Sequence, residues 1–304
     1  MRVGVNILNF GPGATPDALL RWAQISEALG YHSLMISDHV AITPSVRERY
    51  PEPFYDTFAT LSWLAGQTRR VQLGTTVTVL PYRHPVLTAR LAANIDQFSG
   101  GRFILGVGVG NPEDEFRVLG LPRSRRGVLA NESLAAILAL WAGDGPVSFH
   151  GELVTFDDVW SIATHQQPHP PIWVGGNTEA AYRRAVRFGD AWHPILRNMD
   201  ALRQSSLPGL RQTAEKENRP TPAFCPRIRL DLRERDVDGE RMVGTGSLEQ
   251  VRDDLGDLQE LDAQHVVLDW FTGDVPATAN HPHGWEMLAL LAEQVLDLSR
   301  EALR

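Results

Sequence analysis

Val71-Gln72-Leu73-Gly74-Thr75-Thr76-Val77-Thr78-Val79-Leu80 is a β-branched, threonine-rich run with the composition of a buried strand. A helical pattern follows over His84–Phe98. Ser99-Gly100-Gly101 makes the turn, and Phe103–Val109 is the next apolar run. The same strand–helix unit repeats outward in both directions. Upstream, Val3–Leu8 precedes the helical Pro16–Leu29, with Thr15 as N-cap and Gly30 at the left-handed C-terminal position. Ser33–Ser37 precedes a helix over Phe54–Gln67. Downstream, a helix covers residues 124–141. Ile172–Gly175 precedes Thr178–Phe188, Ala191–His193 precedes 199–217, and Phe224–Leu230 precedes Ser247–Leu261 with a capping-box spacing from Ser247 to Gln250. Val266–Trp270 and Trp285–Leu303 close the series. Eight strand-like runs, each followed by a helix, point to a (β/α)8 TIM barrel. A doubly wound sheet is the alternative, because periodicity alone does not close a sheet. Residues 142–170 break the rhythm with a hairpin around His150-Gly151-Glu152 and an exit at Pro168-His169-Pro170-Pro171. They read as an insertion between helix 4 and strand 5 of a single domain, 1–304.

Composition narrows the functional classes. The 304 residues carry 29 Lys and Arg against 37 Asp and Glu, a formal net charge of −8. That balance argues against nucleic acid held by a basic surface and against an anionic membrane. Cys225 is the one cysteine, so no intrachain disulfide and no cysteine-based zinc site forms. No apolar segment reads as a signal peptide or a membrane span. The expectation is a cytoplasmic enzyme.

Barrels of this kind build their sites at the C-terminal strand ends. Those ends carry Asn6, Asp38-His39, Thr75-Thr76-Val77-Thr78, Gly108-Val109-Gly110-Asn111, Gly175-Gly176-Asn177, Trp192-His193, Asp231 and Asp269-Trp270. His39 can exchange a proton near neutral pH, or can simply bond a neighbouring backbone group. Gly106-Val107-Gly108-Val109-Gly110 lacks the spacing and position of a dinucleotide fingerprint; its glycines make room on a strand, and a flat ring could use that room. Gly175-Gly176-Asn177-Thr178 and Gly244-Thr245-Gly246-Ser247 each precede a helix and could present amides to a phosphate, or serve only as turns. Glu113-Asp114-Glu115 could supply a carboxylate acid or base, although such a run more often forms a solvated face. His165, His169, His281 and His283 lack metal-ligand spacing, so no metal is expected. Trp22, Trp63 and Trp141 are expected to pack; Trp192 and Trp270 could line the cleft.

The ordered set of segments resembles the luciferase-like monooxygenase superfamily, and within it the coenzyme F420-dependent oxidoreductases. The set comprises Leu34–His39, Leu73–Pro85, Leu91–Asp96, Phe98–Arg102 running into Gly106–Gly110, Pro170–Gly176, Gly189–His193 and Gly244–Ser247. The resemblance implies a barrel with an insertion before the fifth strand and a deazaflavin or flavin across the strand ends. It implies a non-proline cis peptide within Thr75-Thr76-Val77, forming a bulge behind the ring. It places Asp38-His39 beside the ring, with His39 as proton acceptor, and Gly175-Gly176 near the cofactor's phosphate tail. Asn111 departs from the pattern: the glucose-6-phosphate dehydrogenase branch has a glutamate there, proposed as an acid, and Asn cannot donate that proton. Lys216 is the only lysine, so no lysine cluster holds a sugar phosphate.

The resulting expectation is hydride exchange between C5 of coenzyme F420 and a small organic substrate, in a protein that is a homodimer if it follows its relatives. His39 is the catalytic candidate. Asp38, Thr75, Thr76, Val77, Gly108, Gly110, Asn111, Gly175, Gly176 and Asn177 are the cofactor candidates. An FMN-dependent monooxygenase is the first alternative; a flavin- or F420-binding protein without chemistry of its own is the second.

Overall fold

The computed structural model describes residues 1–304. Its centre is a curled parallel sheet. The first strand, Arg2–Asn6, pairs with Ser33–Ile36 on one side and with the eighth, His265–Asp269, on the other. From Ser33–Ile36 the order continues through Gln72–Thr75, Phe103–Gly108, Ile172–Gly175 and Ala191–His193 to Ala223–Phe224. Arg227–Arg229 pairs with His265–Asp269 at the other end. The two ends of the sheet are therefore consecutive pieces of one extended stretch, split at Cys225-Pro226, where proline has no N–H for the ladder. The arrangement is barrel-like, with helices packed outside.

The third strand is interrupted as well. Gln72–Thr75 and Thr78–Val79 flank a cis peptide between Thr76 and Val77. Here the glycines of the fourth strand find their cause. A Cβ on Gly106 would lie 1.8 Å from the Thr75 carbonyl oxygen, and one on Gly108 would lie 2.6 Å from Val77 Cγ2. The missing side chains make room for a bulge of the neighbouring strand.

Local signals set most helix ends. Thr15 accepts from the Ala18 N–H, and Gly30 is left-handed with φ 92°. Ser247 and Gln250 form the reciprocal capping box. Thr178 caps Glu179–Phe188, its side chain accepting from the Ala181 N–H. The second major helix begins later than its apolar pattern, at Thr57, because the Asp56 carboxylate accepts from the Ala59 N–H and so fixes the start there. The stretch expected as one helix over 199–217 contains a π-helical segment, Leu202–Ser206, between Met199–Ala201 and Leu207–Lys216. The last helix is His281–Gln294, and the chain then turns back in a short antiparallel pair, Leu296–Asp297 with Ala302–Leu303.

Residues 142–170 hold the hairpin, Pro146–His150 with Thr155–Trp160. Glu132 on the preceding helix accepts from the N–H groups of Glu152, Leu153 and Val154, which fastens the hairpin tip to the body. The tryptophans divide differently from their sequence reading. Trp22 and Trp141 are buried, but Trp63 is exposed. Trp192 is a core residue, 1 % exposed and packed on Tyr182 and Phe224, so it does not line the cleft. Trp270 stacks on Trp22 and lines not the strand-end cavity at His39 but a second one, beside Phe271 and His283. Cys225 is buried, and burial pushes its thiol up to about 12, consistent with an inert core residue.

Candidate active site

The strand ends surround a cavity of about 480 Å³. Asp38, His39, Thr76, Val77, Gly108, Gly110, Asn111, Gly175 and Gly176 all line it. Thr75 and Asn177 do not. The Thr75 hydroxyl is buried and donates to the Gly106 carbonyl. Asn177 donates to the Ile195 carbonyl and faces a neighbouring cavity with Arg197 and Asn198. Ser45, Arg49, Tyr50, His193, Ile195 and Arg227 also line it; of these the strand-end reading includes only His193.

His39 is backed by a carboxylate from the acidic run Glu113-Asp114-Glu115, of which only the third residue is buried. Its Nδ1 lies 2.7 Å from Glu115 Oε2. Glu115 is 0 % exposed and also accepts from the Val40 and Ala41 N–H groups and from the Tyr82 hydroxyl. Burial alone pushes the Glu115 carboxyl up, but the hydrogen bond and charge of His39 and the two amides outweigh it and hold the group below the usual carboxylate range. A carboxylate held in its ionised form at that distance favours the Nδ1–H tautomer of His39. That tautomer leaves Nε2, which makes no hydrogen bond within the protein, unprotonated on the cavity side. Tyr82 is held protonated, its pKa raised by burial and by the Glu115 charge.

Asp38 lines the cavity, but its oxygens are already engaged. Arg83 donates to both, at 2.8 and 2.9 Å, and the Val79 N–H and the Thr57 hydroxyl add to them. Its work is to tie the second strand end to the bulge. The bulge itself forms the floor. The Thr76 carbonyl accepts from Arg227, which is paired with Asp269, and Asp269 accepts in turn from Asn6. The Thr76 hydroxyl donates to His193 Nε2, and His193 Nδ1 donates to the Cys225 carbonyl. Burial pushes the His193 imidazole down to about 4; the Cys225 hydrogen bond opposes this and the Arg227 charge adds to it. His193 is therefore a neutral strut.

Asn111 is exposed at the rim, where Arg123 donates to both its carbonyl and its side-chain oxygen. The loop Gly244–Ser247 is not at this cavity. Its Gly244 N–H donates to Asp254 and its Ser247 N–H to Gln250, so its amides are spent within the chain. Gly175 and Gly176 do reach the cavity, and Gly176 adopts φ +110°, a region that favours glycine. A second cavity of about 290 Å³ opens among Asp231, Arg233, Phe271 and His283. Tyr50 of the first cavity and Phe271 of the second have ring centres 5.9 Å apart.

A profile of the luciferase-like monooxygenase family matches residues 1–238. The chain belongs to that family. Among curated relatives, this luciferase-like chain is 32 % identical over 182 residues to an uncharacterized protein of Mycobacterium tuberculosis, covering 56 % of this chain and 62 % of that one. It is 32 % identical over 176 residues to the oxygenase component of a flavin-dependent trigonelline monooxygenase of Acinetobacter baylyi, covering 57 % and 46 %. It is 31 % identical over 214 residues to an F420-dependent glucose-6-phosphate dehydrogenase of Kineococcus radiotolerans, covering 69 % and 60 %. The luciferase-like chain thus spans less than two thirds of the length of each of these three relatives. In structure it is similar to the coenzyme F420-dependent tetrahydromethanopterin reductase of Methanopyrus kandleri, with TM-score 0.78, 17 % identity, and 96 % and 97 % of the two chains covered. At that identity the likeness is one of fold. F420-dependent and flavin-dependent proteins both stand among the relatives.

Proposed function

We propose that the chain is an F420-dependent oxidoreductase that moves a hydride between the deazaflavin and a small organic alcohol or carbonyl compound. The observation that carries this reading is the Glu115–His39 pair opening onto the cavity. An alcohol losing a hydride must also lose its hydroxyl proton, and His39 Nε2 is a fixed acceptor for it. Bound F420 would supply the hydride acceptor at its C5.

The residues present fit such a group. The Thr76-Val77 bulge, packed against Gly108 and Gly175, offers a floor whose bulk is the Val77 side chain, and Gly176 gives access to backbone beyond it. His193 and Arg227 hold that floor from beneath and keep the uncharged Thr76 carbonyl fixed. His39 takes the substrate proton while Glu115, Val40, Ala41 and Tyr82 keep it from turning. In the same reading the chain is one barrel domain with the 142–170 hairpin as an insertion. It works in the cytoplasm as a homodimer, without nucleic acid or membrane.

The FMN-dependent monooxygenase reading is supported by the trigonelline monooxygenase relative. Parallel titrations with F420 and FMN separate the two. F420 binding, with bleaching of its absorbance on addition of a secondary alcohol, is the expected result. Binding of FMN with none of F420 overturns it.

A further inference from the structure

Every ionic group that lines the cavity is matched by a partner except one. Asp38 is held by Arg83, Arg227 by Asp269, and His39 by Glu115. Arg49 lines the same cavity and makes no ion pair and no side-chain hydrogen bond. It is held instead by an aromatic ring: its guanidinium carbon lies 5.5 Å from the Tyr50 ring centre. The same Tyr50 ring has its centre 5.0 Å from that of His39, tilted by 31°. One small molecule lying along Tyr50 can therefore meet both the guanidinium and the proton acceptor. Arg49 is exposed to solvent at the edge of the cavity, and a guanidinium without a protein partner, with no unpaired carboxylate lining the same cavity, is suited to receive an oxyanion.

Resting on the F420 reading of this cavity, we propose that the substrate is an organic acid. Its carboxylate would be received by Arg49, and the hydroxyl or carbonyl that reacts would lie beside His39. Arg49 is then the residue that sets specificity, and it takes no part in the hydride or proton step. The oxidation balances without further reactants: the substrate C–H hydride passes to F420, the O–H proton to His39, and the carboxylate is unchanged.

Calorimetric titration of the protein, loaded with whichever of F420 or FMN it takes, tests this without turnover. Benzoate and benzamide are one probe pair, hexanoate and hexanamide another. The acids are expected to bind about ten- to a hundredfold more tightly than their amides. Arg49→Met should abolish that preference and Arg49→Lys should restore part of it, with cofactor affinity unchanged in both. Equal binding of acid and amide, binding of neither, or a preference that survives Arg49→Met overturns the proposal. A loss of cofactor affinity in Arg49→Met with the acid preference intact also overturns it, and assigns Arg49 to the cofactor's own anionic groups. Failure of the F420 reading shows separately, in the cofactor titration, which involves no acid. If F420 is bound, turnover adds a further check: a secondary alcohol offered as its carboxylate should have a lower KM than its methyl ester, and Arg49→Met should raise only the former.

Discussion

At the residue scale, Glu115 decides more than any other side chain. In sequence it is the last of three consecutive acids, and such a run most often faces solvent. Pro112 and the short helix Glu113–Val118 turn only the third of them inward, behind a histidine 76 residues earlier. Asp114 instead holds Ser45, and burial of Glu115 is complete. His39→Ala should lower turnover by roughly a hundredfold or more while leaving the cofactor dissociation constant nearly unchanged. Glu115→Gln should follow it, because an amide no longer fixes the tautomer. Steady-state kinetics beside a cofactor titration checks both; equal losses in cofactor binding would make His39 a positioning residue.

At the scale of elements, the third and fourth strands form one device. The glycines Gly106 and Gly108 were legible as unusual, and their role as space for something flat was part of the reading. The structure shows the space is taken by Thr75 and Val77. Gly106→Ala should therefore destabilise the fold by about 1–3 kcal/mol or more, because its Cβ meets backbone that cannot yield. Gly66, in the helix Thr57–Gln67, has open space where a Cβ would go. Gly66→Ala should raise stability by roughly 0.5–1 kcal/mol. Urea midpoints of the two variants test the contrast. Helix starts with a polar cap were readable to within a residue or so, as at Thr15, Thr178 and Ser247. The last helix was displaced at both ends: it starts at His281 with no side-chain cap to mark it, and its apolar pattern continues past Gln294 into residues that pair as a short antiparallel ladder.

At the scale of the whole molecule, two histidines are buried in the barrel interior and kept neutral. Burial lowers His193 to about 4 and His265 well below its ordinary 6.5; the latter is hydrogen-bonded to Ser33. As pH falls below 6.5 the unfolded chain takes up protons that the folded chain refuses. Stability is therefore fully present above 6.5 and declines toward 4, by about 3 kcal/mol for His193 alone. Urea unfolding at pH 7.5 and pH 5 should show the loss, and His193→Gln should reduce it; a flat profile would contradict the assignment. No helix is long and apolar enough to cross a membrane. The sequence by itself determined the alternation of strands and helices, the strand-end position of His39 and the break at 142–170, because these follow from local periodicity, caps and turn residues. Only the tertiary structure decided that Glu115 backs His39, that Asp38 and Asn111 are already engaged, that Trp192 is core, and that Arg49 alone among the charged groups lining the cavity is left without an ionic partner. Those are facts of pairing between residues far apart in the chain, and no local pattern encodes them.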